Sequence, residues 1–283
     1  MILTKYQALG NDYWVYDPHK NNDVLTPAYV KKICDRHYGL GGDGVLMGPK
    51  MDSEAENFGL DIYNADGSFA EVSGNGLTIF SRYLWDEHKV GLHTFFSLHP
   101  SKKCAIKACI HDVHHSIMSE IFFQNFMILG EVDFRVPSAI VEKYSIPNQI
   151  KLIKVDMGNP HCVAYVKNPT KELACDLGCV LENHPLFPQK TNVQLVDWTP
   201  ENRRVRFEIW ERGSGYTLGS GSSACAVACA YGYRFSLDQY TLQLQMPGGV
   251  LEIKRHGETI SFVNQAFKIA EVCVSFDEGT KKL

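Results

Sequence analysis

The sequence predicts two similar α/β domains that face each other, and three observations support this. Short strand-like runs alternate with helical stretches along all 283 residues. Each half contains a glycine-rich turn directly before a helix, in EVSGNGLTIF at 71–80 and in ERGSGYTLGSGSSAC at 211–225. A chain of this length also exceeds the size at which one compact domain is the default. We therefore predict a boundary near residue 120, with domains at 1–119 plus 267–283 and at 120–266.

In the first half, a helix is expected over residues 26–39, because Thr26 can cap it, Pro27 suits its first turn and Gly39 can end it. A second helix should begin near Gly74 and run through LTIFSRYLWDE. Alternation and aromatic or β-branched content predict strands at residues 13–17, 59–64, 92–98, 104–110 and 121–126.

The second half repeats this pattern. Residues 151–167 predict two strands around a turn at 158–160, and residues 205–213 predict a strand that ends in the second glycine-rich turn. Residues 223–235 form its helix. The remaining expectations are a proline-interrupted connection at 137–149, a hairpin over 240–266 that bends at Pro247-Gly248-Gly249, and a last strand at 268–276 that can return to the first domain.

Composition and charge exclude several classes of protein. A net charge of −4 without a basic block argues against nucleic-acid binding. Because no apolar run approaches the roughly 18 residues that cross a bilayer, and the N-terminus lacks a signal sequence, we expect a cytoplasmic protein without membrane contact. The nine cysteines are expected to be free thiols, with Cys225 and Cys229 on one packed helix face. The histidines of HDVHH at 111–115 are interpreted as a turn rather than a metal site.

The two glycine-rich turns are candidate anion sites. A strand that turns straight into a helix exposes the first backbone N–H groups of the helix, where the helix dipole favours negative charge. Gly74-Asn75-Gly76 and Gly221-Ser222-Ser223 let the backbone approach a ligand closely. Either turn alone is also explained as a tight connection. One turn in each half favours two helix N-termini that converge on one carboxylate.

Polar residues at predicted strand ends suggest what the ligand carries. Each of them is individually explained as a turn former. Together they offer amide donors and acceptors and an arginine that can clamp a carboxylate, which suits an amino acid with ammonium and carboxylate groups. These residues are Asn11, Asp12, Asn64, Asn159, His161, Asn192, Glu211 and Arg212.

Six motifs resemble, in order and spacing, those of the diaminopimelate epimerase family: ALGNDY, DRHYGLGGDG, YNADGS, SGNG, MGNPHC and the run WERGSGYTL followed by GSSAC. The match extends from about residue 6 to about residue 250. The resemblance implies an α+β fold of two pseudo-symmetric domains, each a mixed β-sheet wrapped around a central helix. It also implies an isomerase, an amino-acid epimerase or racemase, that uses no cofactor, neither pyridoxal phosphate nor a metal.

The resemblance further implies roles for particular residues. Family members use two cysteines on opposite faces of the substrate α-carbon, one to remove the α-proton and one to deliver a proton. Those positions are Ser73 and Ser220 here, with His161 near Ser73 and Glu211 near Ser220 as bases. Since a hydroxyl is less acidic than a thiol, the activity is expected to fall by orders of magnitude. The residues implied to hold the substrate are Asn11, Asn64, Gly74, Asn75, Asn159, Asn192, Arg212, Gly221 and Ser222.

Two explanations for the serines stay open. They are either engineered replacements or the mark of a natural divergent member, and departures at Leu77-Thr78 and Tyr216 from the family's motifs favour divergence. The leading function is conversion of LL- to meso-diaminopimelate. The alternatives are an amino-acid dehydratase and a non-catalytic amino-acid-binding protein. A small-molecule amino acid is the expected partner in each case, and the family often forms homodimers.

Overall fold

Eighteen strands pair into one mixed sheet in the computed structural model, which describes residues 1–51, 56–101, 104–124, 126–199 and 204–275. Residues 276–283 of the predicted first domain lie outside the described residues. The helices are α1 (Pro27–Cys34), α2 (Gly74–His88), α3 (Ser138–Tyr144), α4 (Lys171–Glu182) and α5 (Gly221–Phe235). The strands are β1 (Ile2–Ala8), β2 (Asn11–Tyr16), β3 (Gly44–Met51), β4 (Asn57–Asn64), β5 (Phe69–Ala70), β6 (Phe95–Ser101), β7 (Cys104–Val113), β8 (Ser116–Phe123), β9 (Met127–Arg135), β10 (Gln149–Asp156), β11 (Pro160–Tyr165), β12 (Asn192–Asp197), β13 (Arg204–Glu211), β14 (Gly215–Thr217), β15 (Gln239–Met246), β16 (Gly249–His256), β17 (Thr259–Asn264) and β18 (Phe267–Cys273).

The order of strand pairing repeats within the chain. In the first half β2 lies parallel to β3 and β4 lies parallel to β6, and the other neighbours among β1 to β8 are antiparallel. The second half has the same arrangement, with β11 parallel to β12, β13 parallel to β15 and antiparallel neighbours elsewhere among β10 to β17. β8 pairs with β17 and joins the two halves. The predicted pseudo-symmetry is therefore visible in the pairing itself.

Each half packs around one long helix. α2 contacts β1, β2, β3, β7 and β8, and α5 contacts β9 to β12 and β15 to β17. The apolar faces of both helices enter the largest core cluster, which includes fully buried Phe80 on α2 and Cys229 on α5. Burial of such apolar surface is the main favourable term that holds a helix against a sheet. The prediction of a mixed sheet wrapped around a central helix is confirmed.

The final strand of each half pairs with the other half. β18 pairs antiparallel with β1, which is the return expected of the strand at 268–276, and β9 pairs antiparallel with β10. The predicted boundary near residue 120 falls within β8. The division into 1–119 plus 267–283 and 120–266 stays a prediction.

Three predicted elements differ from the structure in extent. α1 ends at Cys34 rather than at Gly39, because Asp35 adopts an extended conformation at the C-cap. The connection at 137–149 contains α3, which buries Ile140. The hairpin at 240–266 is extended by β17, which follows a second turn at Gly257, whose φ is +58°. α4 was absent from the sequence prediction although Thr170 caps it and its buried leucines recur every four residues.

Candidate active site

The first residues of α2 and α5 meet in the middle of the molecule. Ser73 and Ser220 are the N-cap residues of these helices, and both have extended backbone dihedral angles. Ser73 Oγ accepts a hydrogen bond from the Gly76 N–H at 3.1 Å, and Ser220 Oγ accepts one from the Ser223 N–H at 3.4 Å. Each serine thus satisfies one N–H group that the helix cannot satisfy itself.

Glycine is required where the two helices touch. A Cβ atom on Gly74 would lie 2.7 Å from the Gly221 Cα and 2.7 Å from the Ser222 nitrogen, closer than side-chain atoms pack. Asn75 strengthens the contact, since its Nδ2 donates to the Gly219 carbonyl at 2.8 Å across the two halves. The glycines therefore serve close backbone approach between the halves as well as the turns that the sequence predicts.

A cavity of about 420 Å³ opens beside this contact, and residues of both halves line it. Five of the predicted site residues are buried behind its surface and do not line it: Gly74, Asn75, His161, Ser220 and Gly221. The predicted residues that do line it are Asn11, Asn64, Ser73, Asn159, Asn192, Glu211, Arg212 and Ser222.

Several charged residues that the sequence reasoning did not select also line the cavity. Arg36 forms an ion pair with Asp43 at 2.8 Å, and Asp43 accepts a hydrogen bond from Asn11 Nδ2 at 2.6 Å. The ion pair therefore holds the side chain of Asn11, one of the predicted substrate-binding residues. Arg212 forms an ion pair with Glu71 that crosses between the halves. Arg36 and Asp43 lie in the motif DRHYGLGGDG, so that motif could have identified them as site residues. Glu71 and Asp66 both precede the SGNG turn in the first half.

The carboxyl group of Glu211 lies beside Ser220. The residue is half-buried, and its surroundings desolvate the carboxyl group, which raises the pKa of Glu211. The hydroxyls of Ser220 and Thr217 oppose this effect, and the charge of Asp43 adds to it. A carboxylate with a raised pKa is a stronger base than an exposed one.

His161 is committed to internal hydrogen bonds. Its Nε2 lies 2.9 Å from Asn159 Oδ1, and its Nδ1 lies 3.1 Å from Gln194 Nε2, which also donates to Ser223 Oγ at 3.0 Å. This network assigns the neutral tautomer with the proton on Nε2. Burial lowers the pKa of His161 to about 3. His161 therefore orients Asn159 at the cavity wall, and its proximity to Ser73 stays a prediction.

The buried imidazole should make stability depend on pH. Because the folded pKa of about 3 lies below the ordinary 6.5, unfolding takes up a proton between these values and stability is lost as the pH falls through this window. We expect the free energy of unfolding to fall by about 2 kcal/mol from pH 7 to pH 5 through this residue. Urea denaturation at both pH values measures it. His161→Gln should remove this part of the pH dependence, and His37→Gln, at an exposed position, should not.

Tyr13 is a site residue that the sequence reasoning missed. It is only 6% exposed yet lines the cavity, and its hydroxyl donates to Ser73 Oγ at 3.3 Å. An internal repeat could have identified it, because residues 10–13 read GNDY and residues 158–161 read GNPH, which aligns Tyr13 with His161.

Comparison with known proteins identifies the family of the chain. The family model described as diaminopimelate epimerase matches residues 3–108 and 153–266. The chain belongs to the diaminopimelate epimerase family. It is 38% identical over 278 residues to diaminopimelate epimerase 2 of Nostoc sp., covering 96% of this chain and 94% of that protein. It is 31% identical to diaminopimelate epimerase of Leptospira biflexa, covering 89% and 90% of the two chains. As a member of this isomerase family, the chain carries its six motifs across nearly the whole length.

Solved structures share the fold of this diaminopimelate epimerase family member. A hydroxyproline epimerase from Agrobacterium vitis, with bound trans-4-hydroxy-L-proline, matches with a TM-score of 0.75 at 13% identity over 99% of this chain and 93% of that one. A phenazine biosynthesis protein from Bacillus anthracis matches with a TM-score of 0.69 at 13% identity over 98% and 99%. No helix among the described residues is long and apolar enough to cross a membrane. The homodimer and the cytoplasmic location stay predictions.

Proposed function

We propose that this protein exchanges the α-proton of an amino acid that has ammonium and carboxylate groups at both ends, converting LL- to meso-diaminopimelate at a low rate. One observation carries the proposal: the N-termini of α2 and α5 meet beside one polar cavity, to which the first half contributes Ser73 and the second contributes Glu211 and Ser222. An epimerase needs proton-transfer groups on two sides of one carbon. The names of the relatives support the substrate class.

The first turns of the two helices are suited to the α-carboxylate of the substrate. Backbone N–H groups at a helix N-terminus and the aligned peptide dipoles attract an anion, and here two such ends meet. A bound carboxylate would also accept part of the charge that develops on the α-carbon when the proton leaves. The glycines at 74 and 221 allow the two helix N-termini to approach each other this closely.

The distal end of the substrate would contact the part of the cavity wall that is formed by asparagine side chains and Arg212. Asn64, Asn159 and Asn192 offer both donors and acceptors, so they suit an ammonium and a carboxylate equally. Arg212 offers two parallel N–H donors to a carboxylate, and its present partner Glu71 shows that the guanidinium binds one. Glu71 and Asp66 supply negative charge for an ammonium group.

Incubation with LL-diaminopimelate in deuterated water tests the proposal. We expect slow α-deuterium incorporation by NMR and binding by calorimetry, with L-lysine binding at least about tenfold more weakly because it lacks the distal carboxylate. Arg212→Gln should weaken diaminopimelate binding by about 10- to 100-fold. Arg135→Gln, at an exposed position on β9, is the matched control and should bind normally. Absence of both binding and exchange would refute the proposed substrate.

A non-catalytic amino-acid-binding protein is the second candidate. It is favoured by the hydrogen bonds of Ser73, whose oxygen accepts from Gly76 N–H and from Tyr13 and is therefore poorly placed to accept the α-proton. Tight binding without exchange would establish this function. Release of water from a hydroxylated amino acid would instead indicate the dehydratase, for which Glu211 would be the base.

A further inference from the structure

Tyr13 and His161 occupy equivalent places in the two halves. Tyr13 lies near the start of β2, opposite Gly44 of the parallel strand β3, and His161 lies near the start of β11, opposite Asn192 of the parallel strand β12. Each lies three residues after a glycine with positive φ, which is 79° at Gly10 and 90° at Gly158. Both residues belong to hydrogen-bond systems that reach the first turn of the long helix of their own half.

The two halves use this place differently. In the second half the chain from His161 through Gln194 ends at Ser223, inside the first turn of α5. In the first half the Tyr13 hydroxyl reaches the N-cap residue Ser73 directly, and both residues line the cavity. The first half thus places a phenol, a group with an ionisable proton, beside one proton-transfer position.

The Tyr13 ring is held where it is by close packing. A Cβ atom on Gly44 would lie 2.6 Å from Tyr13 Cε1, so the absence of a side chain at Gly44 makes room for the ring. The ring belongs to the largest core cluster, which also contains Leu46 and Val72. Because the ring cannot move far, its hydroxyl stays directed at Ser73 Oγ.

We infer that Tyr13 is a positioning residue that acts through Ser73, the two hydroxyls forming one proton-transferring unit on the α2 side of the cavity. Ser73 Oγ accepts from Gly76 N–H and from Tyr13 O–H, so both its lone pairs are used and its own proton is directed to the cavity. Burial raises the pKa of Tyr13, the hydrogen bond with Ser73 opposes this effect, and the carboxylates of Glu211 and Asp43 add to it, so the phenol is protonated at physiological pH. This inference rests on the proposed function.

The proton steps balance without a thiol. The α C–H bond breaks, its proton goes to the Glu211 carboxylate, and the electron pair stays on the α-carbon. On the other face the Ser73 O–H bond breaks as its proton forms the new C–H bond, and the Tyr13 proton passes to Ser73 Oγ in the same step. Tyr13 is left as phenolate and Glu211 as a neutral acid. Solvent water then carries one proton from Glu211 to Tyr13 and restores the starting state.

A thiol introduced at position 73 can report on the Tyr13 hydroxyl without any substrate. In the Ser73→Cys variant a thiolate would accept the Tyr13 O–H hydrogen bond, which stabilises the ionised form. Adding Tyr13→Phe should therefore raise the pKa of that thiol by about 1, measured by mass spectrometry of alkylation at residue 73 as a function of pH. The matched control is Tyr6→Phe. Tyr6 lies opposite Tyr13 on β1, is fully buried and donates to Asp86 at 2.8 Å, outside the cavity.

Exchange with diaminopimelate supplies the second readout. Tyr13→Phe in the native chain should lower the exchange rate at least about tenfold with unchanged KM, and Tyr6→Phe should leave it unchanged. Combined with Ser73→Ala, Tyr13→Phe should cause little further loss, because residues that act as a unit are non-additive. An unchanged thiol pKa, or a shifted thiol pKa with unchanged exchange, would overturn the inference. No exchange by any variant would refute the proposed function, and the thiol measurement would still decide whether the hydroxyl pair exists.

Discussion

Introducing cysteine at both helix N-caps, by Ser73→Cys plus Ser220→Cys, should raise the rate of α-proton exchange at least about 100-fold. The reference thiol pKa is about 8.5 and falls further at a helix N-terminus, so a useful fraction of thiolate exists at neutral pH. A serine hydroxyl holds its proton far more tightly and needs a neighbouring base to react. Both N-caps already point their side chains at first-turn N–H groups, which would stabilise thiolates in the same positions. NMR of α-deuterium incorporation from deuterated water measures the gain.

A thiol elsewhere in the same helix should have no effect. Ser81→Cys is the matched control, since Ser81 is fully buried in α2 and bonds the Leu77 carbonyl at 2.8 Å. The native thiols of α5 illustrate the point, because burial raises the pKa of Cys225 and raises that of Cys229 to about 12. If the double substitution bound diaminopimelate and left exchange at the native rate, the assignment of residues 73 and 220 to proton transfer would be wrong.

Removing the charge of Glu211, by Glu211→Gln, should lower exchange in the native chain about 100-fold or more. Glu211 is the carboxylate that lines the cavity beside Ser220, and a positioned base contributes roughly 10²- to 10⁴-fold. Because desolvation raises its pKa above the ordinary 4.5, exchange should fall as the pH drops through that raised value. The substituted protein should lose this acid limb of the pH–rate profile together with the rate.

Glu120→Gln offers a matched control for that substitution. Glu120 is also half-buried on a strand and accepts a serine hydroxyl, from Ser261 at 3.1 Å, but it lies outside the cavity. The Glu120→Gln substitution should leave the exchange rate and its pH profile unchanged. Equal losses in the two variants would show that Glu211 acts through folding rather than as a base.

Much of the fold could be predicted from local signals. Thr26 was recognisable as a helix start because a side-chain oxygen before an apolar stretch satisfies N–H groups a few residues away, and the glycine-rich turns predicted the starts of α2 and α5. Turns at Gly158 and at residues 247–249 were recognisable for the same reason, since the required backbone geometry is encoded by adjacent residues. The sequence pattern placed the end of α1 at Gly39 instead of Cys34 and treated residues 137–149, which contain α3, as a connection.

The site was predicted as a set of residue types but not as an arrangement. Resemblance selected Glu211, Arg212 and the asparagines, and eight of the predicted residues line one cavity. It did not indicate that Arg212 is paired with Glu71, which is distant in sequence. Nor did it indicate that Tyr13 reaches Ser73, because strand register and the space above Gly44 bring the two together.

The sequence by itself determined the family, the cap of α1 at Thr26, the glycine-rich turns and the presence of serine at positions 73 and 220. These depend on residue identity and on contacts within a few residues. Only the tertiary structure decided that α2 and α5 begin against each other, that His161 is neutral and internally bonded, and that Tyr13 faces the cavity. The physical reason is that burial and hydrogen-bond partners come from strands far apart along the chain, and the pairing order of the sheet sets which of them meet.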